Sequence, residues 1–307
     1  MKLEPECVGC LFNQVVKAFK LLKIESDRNL IIETQKKVME FLIEQDISEV
    51  SAPIVGKFLY SQIGKILNTN DPYRELKQHY NQLALKYYDK LKRFVLKQKD
   101  PVFEALIVSA LGNTIDFAAN HKIDLVHDIE NFSVDNLAIN DYPQFKELLE
   151  KKKKLLILGD NCGEIVLDKL MVEVLLGEYP DLEIIYAVRS SPIINDATME
   201  DAEEISLNSL VKVIESSNAP GIDWNDITPE FKKYFSSKDY LILSKGQGNF
   251  ETIKGVQIPN EDLFYLLKAK CILMKRIFNV EVGSLIFKKR EVEKDESQKP
   301  EINALRD

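Results

Sequence analysis

The chain has 307 residues, 45% of them hydrophobic, and a formal net charge of −8. This length is sufficient for one large or two medium-sized domains with substantial cores. Only 12 glycines and 11 prolines occur, which excludes collagenous and low-complexity proteins and favours a helix-rich fold. The negative charge argues against a nucleic-acid partner, because such binding depends largely on neutralising phosphates. Without an apolar run of the ~18 residues that a membrane span needs, and without a recognisable signal peptide, we expect a cytoplasmic protein with no membrane partner.

The first motif along the chain is a pair of cysteines, Cys7 and Cys10, with the C-x-x-C spacing of a zinc or redox pair. A closed zinc site usually has four Cys or His ligands, and no second C-x-x-C pair follows. With four cysteines in all, the chain lacks the disulfide framework of a small secreted protein. The pair is therefore either a second metal or redox site or ordinary helix surface, and both remain open.

Residues 1–150 show helical periodicity and are predicted to form an all-helical subdomain. Asp100 followed by Pro101 is typical of a helix start, with an N-cap residue before a proline in the first turn. The helix that they open, over residues 102–111, is apolar on nearly every side. We therefore predict that it lies buried at the centre of the protein.

Residues 151–287 alternate between short apolar runs and helical stretches, which predicts βαβ units and a parallel sheet covered on both faces. The predicted strands are 155–158, 182–188, 211–214, 240–243 and 285–287, and the predicted helices include 165–176 and 262–278. Residues 288–307 are charged and lack periodicity, so they are predicted to form a disordered tail.

Polar or glycine-rich segments directly follow the first four of these strands, at 159–164, 189–196, 215–218 and 244–251. In an open parallel sheet, ligands bind outside the carboxyl ends of the strands. Taken alone, each segment is also typical of a turn or a helix cap. Their convergence at one edge favours a functional site.

The carboxylates and amides of this predicted edge, Asp160, Asn161, Asn195 and Asp196, are hard oxygen ligands that suit Mg²⁺ or Mn²⁺. All three histidines lie in the helical half, which argues against a histidine-based zinc site. The site is therefore predicted to hold a divalent metal through oxygen atoms.

Positive charge follows two of the same strands, at Arg189 and Lys245. Either side chain could pair with a phosphate, and Gly246 and Gly248 would let backbone N–H groups approach it. Acidic groups that hold a metal beside basic groups that hold a phosphate are the components of metal-assisted phosphoryl chemistry.

These segments also resemble a known family, the damage-control phosphatases, which were long catalogued as a domain of unknown function. The similar segments are 160–168, 189–198 and 244–251, with further signature-like segments at 111–116 and 266–271. The resemblance extends from about residue 5 to residue 287, and the cysteine pair is similar to that of a microbial branch. One branch of the family has been described as acidic-residue methyltransferases.

The resemblance implies a helical N-terminal subdomain on a three-layer α/β/α domain. It also implies a divalent metal, one of Mg, Mn, Co or Ni, held by Asp160, Asn161 and Asp196, with Lys245 facing the phosphate. One departure is Arg189-Ser190-Ser191, where a lysine and a glycine are expected before the proline. The candidate catalytic residues are those three metal ligands and Lys245, and the candidate substrate-binding residues are Asn113, Asp116, Glu164, Arg189, Ser190, Asn195, Lys245 and Gly246.

We therefore expect a metal-dependent phosphatase, a phosphoric monoester hydrolase, that acts on small phosphorylated metabolites such as damaged or surplus sugar phosphates. The sequence does not decide whether a metal-bound water or a carboxylate attacks phosphorus. If a carboxylate attacks, Asp160 is the candidate. Two alternatives are an S-adenosylmethionine-dependent carboxyl methyltransferase and a non-catalytic phosphometabolite-binding protein. The glycine-rich first turn typical of such methyltransferases is missing. The sequence makes no prediction of oligomeric state.

Overall fold

A computed structural model describes residues 1–112 and 137–291. Five helices form the first of these two parts. They are α1 (Pro5–Leu21), α2 (Arg28–Glu44), α3 (Ala52–Leu67), α4 (Arg74–Val95) and α5 (Pro101–Gly112). The candidate residues Asn113 and Asp116 lie outside the described residues.

The second part is an α/β domain built on a seven-stranded sheet. Its strands are β1 (Leu137–Asn140), β2 (Lys154–Leu158), β3 (Glu183–Val188), β4 (Lys212–Glu215), β5 (Leu241–Lys245), β6 (Leu263–Lys268) and β7 (Leu285–Lys289). Its helices are α6 (Tyr142–Lys152), α7 (Glu164–Glu178), α8 (Met199–Glu204), α9 (Pro229–Ser236), α10 (Gln247–Ile253) and α11 (Ile272–Phe278).

The strands lie in the order β1-β7-β6-β5-β2-β3-β4. All neighbouring strands are parallel except β6 and β7, which are antiparallel. The predicted α/β class with a mostly parallel sheet is thereby confirmed. Because β5, β2 and β3 are neighbours, the segments that follow them meet at one edge.

Three predicted boundaries differ from the structure. Residues 263–268, predicted as helix, form the buried strand β6, because an apolar run buried on both faces carries no strand periodicity. Residues 137–140, inside the predicted helical subdomain, form β1 and pair with β7. The predicted tail begins too early, since 288 and 289 belong to β7 and Arg290 N–H donates to the Leu263 carbonyl at 2.7 Å.

Helices cover both faces of the sheet, and each face has its own apolar core. The predicted central helix is confirmed, because α5 is buried along most of its length and packs against α7. The two helices approach closely at Gly112, where an added Cβ would lie 2.8 Å from Leu167 Cδ1. A third apolar core lies between α1, α2 and α3.

Within residues 1–112 and 137–291, no helix combines the length and the apolar character that crossing a membrane requires.

Asp100 ties the start of α5 to α6. Its Oδ1 accepts from the Phe103 N–H at 3.1 Å, which caps α5, and from the Tyr142 hydroxyl at 2.8 Å. Its Oδ2 accepts from Lys146 Nζ at 2.8 Å. Burial alone would raise the pKa of Asp100, but these hydrogen bonds and the Lys146 charge lower it overall.

We expect Asp100→Ala to reduce the free energy of unfolding by about 1–3 kcal/mol, because it removes a helix cap and a charged bridge. The lowered folded-state pKa means that the carboxylate stabilises the protein above the unfolded-state pKa of about 4. That contribution is lost as the pH falls through the folded-state value, so the difference from wild type should shrink in acid. Denaturant unfolding at several pH values measures this.

The control is Asp89→Ala, at an exposed position of α4, which should change stability by less than about 0.5 kcal/mol. An Asp100→Ala effect as small as that of Asp89→Ala, or one that does not shrink in acid, contradicts the bridge.

Candidate functional site

The segments that follow β2 and β3 are joined by backbone hydrogen bonds. Ala197 N–H donates to the Asp160 carbonyl at 2.9 Å, and Cys162 N–H donates to the Asn195 carbonyl at 2.7 Å. Asn161 and Asp196 face each other in an isolated antiparallel bridge. Residues 160, 161, 195 and 196, which the sequence predicted to converge, therefore lie side by side.

The loop before Asp196 holds a strained residue. Ile194 has a φ of 44°, a left-handed conformation that is an outlier for a β-branched side chain. Such a conformation costs about 1–3 kcal/mol and persists only where the surroundings enforce it. The residues on either side of Ile194 are hydrogen-bonded: the Ile193 carbonyl accepts from the Asp196 N–H at 3.0 Å, and the Asn195 carbonyl accepts from the Cys162 N–H.

Arg189 joins the two carboxylates beneath this edge. Its Nε donates to Asp196 Oδ2 at 2.7 Å, and its Nη2 lies 3.5 Å from Asp160 Oδ1. Nη1 donates to Asn249 Oδ1 at 2.8 Å and to the Gly221 carbonyl at 3.0 Å. Only 2% of Arg189 is exposed, so its guanidinium is an internal tether of the carboxylates.

The two carboxylates form a buried acidic pair, with Asp160 and Asp196 8% and 4% exposed. Burial raises the pKa of Asp196 to about 7, and the charge of Asp160 adds to the rise, whereas Arg189 and Lys270 oppose it. Asn161 Nδ2 donates to Asp160 Oδ2 at 2.8 Å. Repulsion between the two acids would be relieved by a cation that binds both.

Gly246 makes room for this pair. It has a φ of +78°, and an added Cβ would overlap the carboxylate of Asp160. Its N–H donates to the Leu266 carbonyl of β6 at 3.1 Å. The N–H of Gly246 itself thus belongs to the link between β5 and β6, and the approach of backbone N–H groups to a phosphate at Gly246 and Gly248 stays a prediction.

Lys245 is fully buried and points away from that pair, towards α7. Its Nζ pairs with Glu164 Oε1 at 2.5 Å and with Asp168 Oδ1. The sequence assigned Lys245 to a phosphate at the carboxyl edge, whereas the structure shows its ammonium paired with two carboxylates of α7. Burial alone would lower the pKa of Lys245, but the charges of Asp168 and Glu164 raise it, so the ammonium stays protonated.

Asp168 completes the cluster around Lys245. It accepts from the Ser109 hydroxyl of α5 at 2.5 Å and from the Tyr186 hydroxyl of β3 at 2.6 Å. Glu164 precedes it by four residues on α7, so both face the end of β5. Within the described residues, Glu164 Oε2 is buried without a hydrogen-bond partner. Burial raises the pKa of Glu164 to about 8, with Lys245 opposing and Asp168 adding to the rise.

Other candidate residues lie at the same edge with different roles. The Ser190 N–H donates to the Ser217 carbonyl at 3.0 Å, and both Ser190 and Asn195 are half-buried. Sequence reasoning missed Asn249, which accepts from Arg189 and donates to the Lys245 carbonyl at 2.8 Å. Its place in the polar segment after β5 was the available signal.

A cavity of about 890 Å³ opens between α3, the segment that follows it and residues 191–194 of the loop that precedes Asp196. It is lined by hydroxyl, amide and lysine side chains together with Tyr60 and Tyr73. The charge of Asp196 contributes to the raised pKa of Tyr60, after the larger effect of burial. The cavity is large enough for a small organic molecule, and its wall at Ile194 is two residues from Asp196 in the chain.

The cysteine pair lies elsewhere, on the first turns of α1. Cys10 is exposed, Cys7 is half-buried, and both are free thiols. Burial raises the pKa of Cys7. In the part of the chain that the structure describes, no group of three or more His, Cys, Asp or Glu side chains is placed to hold a metal. The second metal or redox role of the pair stays a prediction.

The donor set of the edge fits a hard divalent cation. The buried carboxylates of Asp160 and Asp196 and the side-chain amide of Asn161 converge there. The single positive charge of Arg189 balances only part of the negative charge of the two carboxylates. Carboxylate and amide oxygens are the ligands that Mg²⁺ and Mn²⁺ prefer.

The fold and this edge thus define an α/β protein with a buried acidic pair at the carboxyl ends of its strands. The sequence model of the damage-control phosphatase ARMT1-like domain matches residues 3–286. The chain therefore belongs to the damage-control phosphatase family, as the sequence resemblance indicated.

Relatives match over nearly the whole chain. A damage-control phosphatase of Pyrococcus horikoshii is 32% identical over 93% of this chain and 97% of its own length. A damage-control phosphatase of Archaeoglobus fulgidus is 30% identical over 94% of this chain and 99% of its own length. An uncharacterized protein of Methanocaldococcus jannaschii is 34% identical over 94% of this chain and 96% of its own length.

A solved structure has the same fold. The crystal structure of a DUF89 family protein from Pyrococcus horikoshii matches with a TM-score of 0.84 and 30% sequence identity. The match covers 95% of this chain and all of that one.

We expect Gly246→Ala to destabilise the protein far more than Gly255→Ala. Both glycines have positive φ, +78° and +81°, so both substitutions carry the backbone strain of about 1 kcal/mol. Only at position 246 would the new Cβ overlap Asp160, whereas nothing lies within 4 Å of a Cβ at 255. Denaturant unfolding of both variants measures the difference, and equal losses would contradict the close approach of Gly246 to Asp160.

We expect Lys245→Met to reduce the free energy of unfolding by about 3–5 kcal/mol, because it leaves two buried carboxylates without their cation. Adding Asp168→Asn should recover part of the loss, since it removes one of those charges. A double-mutant cycle by denaturant unfolding measures the coupling. Strictly additive effects would show that Lys245 does not compensate Asp168.

Proposed function

We propose that this protein is a divalent-metal-dependent phosphatase that hydrolyses small phosphorylated metabolites. The observation that carries the proposal is the buried acidic pair, Asp160 and Asp196, held side by side with Asn161 at the carboxyl edge of the sheet. The relatives named damage-control phosphatases support it.

Asp160, Asp196 and Asn161 would hold the metal, one of Mg, Mn, Co or Ni. When bound, a divalent cation supplies positive charge that neutralises the oxygens of a phosphoryl group during transfer. Other residues of the chain hold these ligands in position. Arg189 fixes the carboxylates in place, since its guanidinium bonds both, and the strained turn at Ile194 sets the position of Asp196.

The cavity beside the acidic pair would take the organic part of the substrate. Its lining mixes aromatic rings with hydroxyl and amide groups, which suits a polar metabolite, for example a damaged or surplus sugar phosphate. The burial of the pair, with Asp160 8% and Asp196 4% exposed, would limit the access of water, which strengthens electrostatic interactions there.

The other properties proposed for the protein follow from its charge and cysteines. Its net charge of −8 opposes nucleic acid as a partner. All four cysteines are free, in keeping with a reducing compartment, and we propose a cytoplasmic location. The methyltransferase alternative is not favoured, because the relatives with a named activity are phosphatases.

We expect Asp160→Ala and Asp196→Ala each to abolish metal-dependent hydrolysis of para-nitrophenyl phosphate. Each variant removes an anionic ligand, and such a loss typically lowers metal affinity or activity more than ~10-fold. Hydrolysis is measured with Mg²⁺, Mn²⁺, Co²⁺ and Ni²⁺, alongside calorimetric titration of the metal. Asp181→Ala, at a carboxylate whose side chain is 84% exposed and which precedes β3 at the opposite end of the sheet, is the control and should retain wild-type activity.

Near wild-type turnover in either variant of the pair would refute the site. Equal hydrolysis by wild-type protein with and without divalent metal would refute the metal dependence. Tight binding of phosphorylated metabolites without turnover in any metal would favour the non-catalytic alternative.

A further inference from the structure

Helix α4 contacts both of the loops that carry the acidic pair. On the first loop, which follows β2, Asn81 of α4 accepts from the Gly163 N–H through its Oδ1 at 2.7 Å. Asn81 is 0% exposed, and Gly163 has a φ of 81° and lies two residues after Asn161. The side chain of Asn81 therefore fixes the backbone of the loop that carries Asp160 and Asn161.

Lys77 lies one helical turn before Asn81 on the same face of α4, and it reaches the second loop, which follows β3. Its Nζ donates to Asp201 Oδ2 at 3.0 Å. The same oxygen accepts from the Thr198 N–H at 2.8 Å and from the Thr198 hydroxyl at 2.7 Å. Because Thr198 is two residues after Asp196, these hydrogen bonds fix the backbone that follows Asp196.

Lys77 also reaches the wall of the cavity between α3 and residues 191–194. Its Nζ pairs with Asp71 Oδ2 at 2.8 Å, and both Asp71 and Tyr73 line this cavity. Asp71 Oδ1 accepts from the Tyr73 N–H at 3.1 Å. One ammonium group thus joins the wall of the cavity to the loop that carries Asp196.

Stability alone does not account for this bridge. Lys77 and Asp201 are 2% and 4% exposed, so both charges have lost most of their contact with water. An apolar replacement of such a buried ion pair is often equally stable, because the attraction between the charges does little more than offset their desolvation. An apolar side chain cannot donate hydrogen bonds, however, whereas an ammonium with three donors holds Asp71 and Asp201 at a fixed separation.

We propose that α4 sets the spacing of the metal ligands through Lys77 and Asn81, and that Lys77 couples the wall of the cavity to the loop of Asp196. Both are positioning residues, because they act through the loops and not on metal or substrate. The ligand, a divalent metal held by the acidic pair, rests on the proposed function. The inference itself rests on the two hydrogen-bonded connections from α4 and on the ammonium shared by Asp71 and Asp201.

Calorimetric titration of Mn²⁺ into metal-free protein tests the spacing of the ligands without requiring turnover. Lys77→Met should weaken Mn²⁺ binding about tenfold or more, the usual effect of losing a residue that orients metal ligands. Asn81→Leu, which removes the acceptor at a similar side-chain size, should weaken it likewise, and it serves as the second variant if Lys77→Met does not fold. Circular dichroism establishes the native fold of each variant.

Lys92→Met is the control. Lys92 joins the same helix to Glu173 of α7 at 2.6 Å, about four helical turns from Lys77. The variant therefore removes a bridge between α4 and the α/β domain without touching either loop of the acidic pair. It should bind Mn²⁺ as wild type does.

Asp71→Asn tests the coupling to the cavity separately. The asparagine keeps an acceptor for the Tyr73 N–H, and the contact between Lys77 and Asp201 remains, so Mn²⁺ affinity should stay within a few-fold of wild type. The wall of the cavity loses its charged contact with Lys77. In para-nitrophenyl phosphate hydrolysis, KM should therefore rise about fivefold, the effect of one lost hydrogen bond, with kcat little changed.

Wild-type Mn²⁺ affinity in both Lys77→Met and Asn81→Leu overturns the inference, as does an equal loss of affinity in Lys92→Met. A wild-type KM in Asp71→Asn overturns the coupling to the cavity. Metal-dependent hydrolysis by variants of Lys77 and Asn81 with unchanged Mn²⁺ affinity leaves the proposed function intact. Wild-type protein that binds Mn²⁺ without hydrolysing phosphate esters refutes that function, whereas weaker Mn²⁺ binding by the two variants still supports the inference.

Discussion

The need to compensate buried negative charge determines how the edge of this sheet is built. Ionised carboxylates in a protein interior are strongly destabilising unless they are paired and hydrogen-bonded. Here two buried cations, Arg189 and Lys245, each compensate one pair of carboxylates. Arg189 reaches both acids of the outer pair and also Asn249, which a planar guanidinium with five donors can do. Lys245, a compact ammonium, serves the inner pair of Glu164 and Asp168.

This division explains why the helical half and the sheet depend on each other. The inner pair is held by α5 through Ser109, by β3 through Tyr186 and by β5 through Lys245. Displacement of α5 would therefore disturb the lysine that ends β5, one residue before Gly246. Because Gly246 contacts Asp160, the packing of the helices is coupled to the geometry of the outer pair. When fully ionised, each pair carries one excess negative charge, and the outer pair is the more accessible of the two to a cation, since Asp160 is 8% and Asp196 4% exposed whereas Glu164 is 1% and Asp168 0% exposed.

Much of the fold was predictable, because apolar runs bounded by polar turns have a clear pattern. β2, β3, β4, β5 and β7 were predicted to within a few residues, and so was the buried helix α5. β6 was predicted as helix, since its uniformly apolar residues fit either structure. β1 was missed because it is a short strand of four residues within a helical region.

The site was predictable in position but not in orientation. The rule that ligands bind beyond parallel strand ends brought Asp160 and Asp196 together correctly in space. The direction of the Lys245 side chain depends on which face of the sheet that position of β5 points to. It also depends on Glu164 and Asp168, one helical turn apart on α7, which the sequence did not link to Lys245. The strain at Ile194 was not predictable, since it results from contacts between two loops.

In the proposed function, the excess negative charge of the outer pair, Asp160 and Asp196, attracts a divalent metal to that pair. Thermal unfolding of metal-free protein with increasing Mn²⁺ tests it most directly, because a ligand that binds only the folded state raises stability. At a hundredfold excess over Kd the gain is about 2.7 kcal/mol, so Tm should rise by several degrees. The rise should be absent in Asp196→Ala, in which the pair is broken. A Tm that stays unchanged with Mg²⁺, Mn²⁺, Co²⁺ and Ni²⁺ alike, or that rises equally in Asp196→Ala, would show that the outer pair does not form a metal site.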